Sequence, residues 1–344
     1  MTITHSAYAT AAVFNLLLVA CALLAAIVSH RVISLRVMDC PTSRSAHAQP
    51  VPKGGGLAIL AVFLPGVPLA ELLFHHMPDR GDMSLLFATA GLGLFSWRDD
   101  IHPMPAAWKL LAQQAAALLV AWGCNASPSN AAAWMPFVVA VLWLVCLCNA
   151  MNFVDGLNGL ASGCTLLACL VTAGLCLMAQ AGVEIWGTAL VLAAAIAGFL
   201  PFNFPHARLF MGDVGSQCCG LVLGALGLRM GGAHLPHAEM LMPLIVSGVL
   251  ADVFATLLRR AWNRRPLMQA HREHFYQMAH RSGMNATRLT LLAWGGTLYG
   301  GIIAGVVAGG IATPFAGATL AGIAQLLWAA AVTRRVRHRP GLTW

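Results

Sequence analysis

Apolar runs of about twenty residues recur along almost the whole of this chain, and they leave few folds open to it. Eleven can be drawn, centred near Leu18, Phe63, Gly91, Ala116, Val141, Ala168, Ala194, Leu223, Val249, Ile302 and Ala324. In hydrocarbon a segment must satisfy its own backbone polar groups, so runs of this length are helices. The expected fold class is an all-α polytopic membrane protein with about 11 transmembrane helices. Composition agrees. Of 344 residues only 9% are charged, against about a quarter in a soluble domain. The first run, from about Ala7 to Val28, is long enough to span and is not expected to be a cleaved signal. No repeat or linker divides the chain, so 1–344 reads as a single integral-membrane domain. The ten cysteines lie mostly inside apolar runs, without zinc-site or disulfide-framework spacing, and read as small core or lipid-facing residues.

Lysine and arginine favour cytoplasmic loops. With the N-terminus outside and the C-terminus cytoplasmic, eighteen of the 20 basic residues fall inside, leaving Arg80 and Arg229 outside. The same orientation places five polar stretches on one face. They are DCPTSRSAHAQPVPKGGG, WRDDIHPMPAAWK, NAMNFVDGLN, FNFPHARLFMGDVGS and AHREHFYQMAHR. The outside loops are expected to carry no comparable cluster. A site is therefore expected on the cytoplasmic loops.

Helix N-termini suit phosphate. Gly54–Gly56, Asp155–Gly156 and Gly212–Ser216 are expected to open the second, sixth and eighth helices there. Carboxylates beside lipid are costly unless they bind cations or one another. Asp99, Asp100, Asp155 and Asp213 form a candidate Mg²⁺ set, since Mg²⁺ takes one or two carboxylates plus phosphate oxygens and water. Arg44, Lys53 and Lys109 are placed to hold phosphate charge. Asn152, Asp155 and Asn158 are spaced i, i+3, i+6, as on one helical face. His271 and His274 suit sugar hydroxyls or phosphate, or, with His280, zinc. Asp252 either faces the same site or pairs with Arg259 or Arg260.

The order of motifs is DxPxxRSxHxxPxPxGGG (Asp39–Gly56), Asp99–Asp100 with Lys109, NxxNFxDGxxGL (Asn149–Leu160), NxxxxRxFxGDxGS (Asn203–Ser216) and a histidine motif over His271–Gln277. This resembles the polyprenyl-phosphate N-acetylhexosamine-1-phosphate transferases, glycosyltransferase family 4, over nearly the whole chain. The resemblance implies transfer of sugar-1-phosphate from a UDP-N-acetylhexosamine to undecaprenyl phosphate with release of UMP. It implies Mg²⁺, with Mn²⁺ as an alternative, at Asp213. Asp99, Asp100 and Lys109 become the candidate catalytic residues. Arg44, Lys53, Asn152, Asp155, Asn158, Asn203, Phe210, His271 and His274 become candidate substrate contacts, Phe210 stacking on uracil.

Asn158 stands where relatives often carry a second aspartate, so it adds no negative charge. The sequence HREHFYQ lacks contiguous histidines, looks closest to the O-antigen-initiating branch and disfavours a muramoyl-pentapeptide substrate. The implied setting is the bacterial inner membrane. Membrane lipid is an implied partner, nucleic acid is not, and a homodimer is compatible. A GlcNAc-1-phosphate transferase of broader glycan use and a transporter stay open as alternatives, and so does a two-step route through an aspartyl-phosphate. The basic tail is expected to contact anionic lipid.

Overall fold

The computed structural model describes residues 2–41, 49–124, 133–233, 235–266, 269, 271–342 and 344. A helix covers each expected centre. These are α1 (Thr2–Ile33), α2 (Gly55–Leu73), α3 (Arg80–Ile101), α4 (Ala106–Gly123), α5 (Trp134–Val154), α6 (Leu160–Met178), α7 (Val183–Asn203) and α8 (Gly212–Met230). The run around Val249 divides into α9 (Ala238–Ile245) and α10 (Ser247–Trp262), bent by 74° at Val246. Pro243 lies inside α9, where a missing amide and a bulky ring weaken the helix just before the bend. The short α11 (Phe275–Arg281) precedes the long α12 (Ala286–Ala308) and α13 (Pro314–Arg337). A two-stranded antiparallel hairpin, β1 (Met38–Asp39) and β2 (Val51–Pro52), links α1 to α2.

The protein is thus an all-α polytopic membrane protein. Among the described residues, seven helices are long and apolar enough to cross a membrane, or eight if the bent pair is one span. The helices α3, α4 and α8 fall outside that set although each covers an expected centre. Composition explains the difference. They carry Asp99 and Asp100, Lys109 and Gln113, and Asp213 and Gln217 within their length.

Helix α8 lies at the centre, packed on α5, α3 and α2. Small residues let the backbones close in, as helix pairs in lipid require. A Cβ on Gly56 would collide with the backbone of Gly215, and one on Gly220 with the carbonyl of Leu147. By contrast α1 and α13 expose Leu16, Leu23, Phe315 and Leu326, the apolar surface a lipid-facing helix needs.

The end of the bundle opposite the five polar stretches is not empty of charge, contrary to the sequence-based expectation. There the buried Asp82 pairs with Arg229, and Asp79 lies 3.6 Å from the same guanidinium. Buried Glu71 sits beside them with neither oxygen partnered. Asp79 and Asp82 also form a reciprocal capping box at the start of α3. The sequence does not reveal the cluster, because Arg229 on α8 lies 147 residues beyond Asp82 and only the packing of α8 on α3 brings them together.

Candidate active site

Residues from all five polar stretches meet around one cleft of about 680 Å³ at one end of the bundle. The first and fourth stretches are stitched together by backbone. Phe210 N–H donates to the Pro52 carbonyl at 2.8 Å, Gly55 N–H to Phe210 O at 2.8 Å, and Gly56 N–H to Met211 O at 2.8 Å. This join seats the starts of α2 and α8 side by side. It brings Lys53 to the cleft wall, 3.3 Å from Asp100 Oδ1. Gly212 has φ +73°, and a Cβ there would lie 2.7 Å from Asp100 Oδ2. Only glycine leaves that carboxylate its space. Arg44 lies outside the described residues.

The aspartate pair divides its labour. Asp99 does not line the cleft. Its Oδ1 accepts the Met104 N–H at 2.7 Å and its Oδ2 meets Lys109 Nζ at 2.5 Å. Asp100 lines the cleft, and its Oδ2 is buried without a hydrogen-bond partner. Lys109 also stays off the cleft surface. It bridges Asp99 to Asp213 Oδ2, at 3.0 Å from the latter. Asp213 further accepts from Asn152 Nδ2 at 2.9 Å and from Gln217 Nε2 at 3.1 Å. Behind it, Gln113 Nε2 donates to Gln217 Oε1 at 3.1 Å and Asn149 Nδ2 to Gln113 Oε1 at 2.6 Å. The glutamines went unnoticed in the sequence, yet a signal was there. Lys109 and Gln113, like Asp213 and Gln217, are i, i+4 pairs, so each pair shares one helix face.

The third stretch departs from expectation. Helix α5 ends at Val154, and α6 starts only at Leu160 after the left-handed Gly159. Asn152 is therefore in the last turn of α5, Asp155 caps that helix, and Asn158 lies in the connection. They share no helical face, and Asp155–Gly156 does not open α6. The three still line the cleft, because the connection folds across its floor. Gly156 makes this possible: a Cβ there would strike the Tyr276 hydroxyl, which donates to Phe153 O at 2.9 Å. Loss of solvent, then the charges of Asp213 and Asp100, push the Asp155 carboxyl well above the ordinary range. Asn158 donates to the Pro205 carbonyl at 3.1 Å.

Asn203 is a strut. It is 2% exposed, its Oδ1 accepts from Gly159 N–H at 2.9 Å and Ser162 Oγ at 3.0 Å, and its Nδ2 donates to Leu209 O at 3.1 Å. Those three bonds fix the fourth stretch against α6, and Asn203 also lines the cleft. Phe210 is half-buried on the cleft wall.

The fifth stretch is anchored from beneath. Asp252 on α10 accepts the N–H groups of Phe275 and Tyr276, each at 3.0 Å, and contacts His274 Nδ1 at 2.9 Å. It pairs with neither Arg259 nor Arg260. Glu273 takes Arg260 at 2.8 Å and Arg265 at 2.7 Å. His274 is buried and stacked on His271, their ring centres 5.0 Å apart. Neither imidazole lines the cleft. Burial first, then His274 and Arg260, lower the His271 pKa to about 4, and its Nδ1 accepts the Glu273 N–H at 3.3 Å. From this stretch the cleft receives Arg272, Gln277, His280 and Arg281, and from the hairpin Asp39. In the sequence His280 stands out only as a third zinc candidate, and the other four are not singled out as contacts.

The cleft thus has an acidic floor and a cationic rim. Among the described residues no three acidic, imidazole or thiol groups form a protein-only metal cage. The donor set nevertheless fits Mg²⁺, which keeps waters and takes one or two carboxylates with phosphate oxygens. Asp100 Oδ2 is unpartnered, and Asp213 Oδ1 has a single donor.

Fold and site together define a multi-pass membrane protein with a phosphate-suited cleft at the end of its bundle. The sequence pattern of the family described as "Glycosyl transferase family 4" matches residues 83–231, from α3 to α8. The decaprenyl-phosphate N-acetylglucosaminephosphotransferase of Mycolicibacterium smegmatis is 32% identical over 80% of this chain and 76% of its own length. The phospho-N-acetylmuramoyl-pentapeptide-transferase of Desulfitobacterium hafniense is 30% identical over 75% and 83%. A Bacillus subtilis protein named "Probable undecaprenyl-phosphate N-acetylglucosaminyl 1-phosphate transferase" is 29% identical over 75% and 74%. The chain belongs to the polyprenyl-phosphate N-acetylhexosamine-1-phosphate transferase family, within glycosyl transferase family 4.

Proposed function

We propose that this protein transfers N-acetylhexosamine-1-phosphate from a UDP-sugar to undecaprenyl phosphate at the cytoplasmic face of the bacterial inner membrane. UMP leaves, and the lipid diphosphate starts an O-antigen or related envelope glycan. The observation that carries this reading is the meeting of five separate polar stretches in one acid-floored, cation-rimmed cleft at the end of an apolar bundle. A lipid phosphate reaches that level along the membrane, and a nucleotide sugar reaches it from water. Several relatives are named phospho-N-acetylmuramoyl-pentapeptide-transferase, but HREHFYQ, without contiguous histidines, keeps the muramoyl-pentapeptide substrate disfavoured. The relatives named for N-acetylglucosamine favour UDP-GlcNAc as donor.

Phosphoryl transfer depends on positioning and charge neutralisation more than on covalent protein chemistry. Asp100, the member of the pair that faces the cleft, orients the lipid phosphate and takes up its proton if it arrives protonated. The lipid phosphate oxygen bonds to the sugar-linked phosphorus. The bond from that phosphorus to the bridging oxygen breaks, and its electron pair leaves with UMP. Lys53, Arg272 and Arg281 hold phosphate charge, and Phe210 stacks on the uracil. Lys109 works from behind, fixing Asp99 and Asp213 in one arrangement. Asp213, with Asp100, would hold Mg²⁺, which supplies charge neutralisation to the diphosphate when bound.

The test is UMP release by purified protein given undecaprenyl phosphate, Mg²⁺ and a panel of UDP-N-acetylhexosamines. Release that needs both lipid and metal, and is lost in Asp213→Asn, is expected. Folded protein that releases no UMP with any sugar overturns the reading. A phospho-aspartate trapped without lipid would replace direct attack by the two-step route.

A further inference from the structure

We propose that the basic hollow where the end of α13 meets the end of α11 binds the phosphodiester headgroup of an anionic membrane lipid. The hollow, of about 580 Å³, is lined by Ser282, Arg334, Arg335, His338, Arg339 and Pro340. It is separate from the cleft and takes no part in the transfer described above. The inference rests on the preceding reading only in placing this end of the bundle at the cytoplasmic leaflet.

Three observations converge. First, the charge is uncompensated. Among the described residues, no carboxylate lies within ion-pair distance of Arg334, Arg335 or Arg339, whereas Arg259, Arg260 and Arg265 share Glu273. Complementing the helix dipole does not account for this. A helix C-terminus carries about half a negative charge, and the end of α13 gathers Arg334, Arg335 and Arg337 in its last turn, with Arg339 just beyond.

Second, the height is right. Leu326 and Leu327 are exposed on α13. Arg334 follows Leu327 by seven residues, about 10 Å of helix, which carries it from the hydrocarbon to headgroup level. The neighbouring α10 marks the same boundary, passing from exposed Leu258 to exposed Trp262. Tryptophan favours that interface.

Third, the hollow is built on the cleft wall. Arg339 Nη1 donates to the Ser282 carbonyl at 2.8 Å and lies where a Cβ on Gly283 would stand. Ser282 caps α11, whose Gln277, His280 and Arg281 line the cleft. A phosphodiester held by Arg334, Arg335 and Arg339 therefore fastens α13 to the helix that carries the cationic rim. The expected consequence is a better-ordered α11, and through it higher turnover, in membranes that contain anionic lipid.

The test is native mass spectrometry of the full chain titrated with phosphatidylglycerol or phosphatidylcholine, alongside hydrogen exchange of residues 275–281. The wild type should retain phosphatidylglycerol in preference. The double variant R334Q/R335Q should retain about ten-fold less or weaker still, as expected for two arginines near an anionic surface. Phosphatidylglycerol should slow exchange in α11 of the wild type and not of the variant. R334K/R335K, which keeps the charge, should recover most of the binding, and this separates loss of charge from misfolding. Equal retention by wild type and R334Q/R335Q overturns the proposal. So does displacement of lipid by millimolar inorganic phosphate with no preference for phosphatidylglycerol, which would make the hollow a free-phosphate site. These readouts need no turnover, so a failure here is distinct from absence of UMP release.

Discussion

The two ends of the bundle carry similar residues and put them to different use. At the cleft end Asp100 lines the cleft, with Lys53 3.3 Å from one carboxylate oxygen and no hydrogen bond to the other, and Arg272 and Arg281 line the same space. At the other end Asp82 and Arg229 are buried against each other, their side chains 0% and 8% exposed. A charged group becomes a site when a ligand can reach it, and a strut when neighbouring helices already satisfy it. Lys109 shows both conditions at once: it braces Asp99 and Asp213 while Asp213 still faces the cleft.

That contrast can be broken by matched substitutions. Asp213→Asn should reduce UMP release by about 10³-fold or more while the protein keeps its fold, since it removes charge aimed at the reacting diphosphate. Asp82→Asn should do the reverse. It leaves the buried Arg229 guanidinium only the more distant Asp79, so it should cost about 3 kcal/mol of stability, read as earlier thermal unfolding in detergent. Turnover per folded molecule should hardly change. If Asp82→Asn abolished turnover at unchanged stability, the opposite end would be a working part of the site.

Smaller effects sharpen the picture. Gly156→Ala should drive the Tyr276 hydroxyl off the Phe153 carbonyl. Because it shifts the floor without removing any charge, KM for the nucleotide sugar should rise roughly ten-fold, with a lesser change in kcat. Burial and the charges of Asp213 and Asp100 hold the Asp155 carboxyl well above the usual range, so a divalent cation bound beside it would favour its ionised form. Mg²⁺ binding should therefore release protons in the pH range where Asp155 ionises, seen as a binding heat that varies with buffer ionisation enthalpy. Asp155→Asn should abolish that dependence.

The smallest effect concerns His271. Its pKa falls from 6.5 to about 4 on folding, so the unfolded chain binds the proton better. Its contribution to stability is complete above pH 6.5 and fades as pH drops toward 4. His271→Gln should flatten the stability profile between those values. An unchanged slope would show that His271 takes up its proton as readily in the folded chain as in the unfolded one.

The sequence by itself determined the class of fold and the side on which to look. Runs of about twenty apolar residues have one way to satisfy their backbones in lipid, so helix positions follow from composition. The five polar stretches could be read as one site because charge is rare in such a chain. Lys53, Asp100, Asn152, Asp155, Asn158, Phe210 and Asp213 do line one cleft. What each polar group does there was decided only by the tertiary structure, because hydrogen bonds and ion pairs form between elements a hundred residues apart. That is why Asp99 and Asp100, adjacent in sequence, diverge: one is held by Lys109 and the other faces the cleft. It is why His274 is a buried anchor on Asp252 and Asn203 a strut. It is also why α5 stops at Val154, where Gly156 lets Tyr276 approach and the chain crosses the cleft floor instead of continuing as helix.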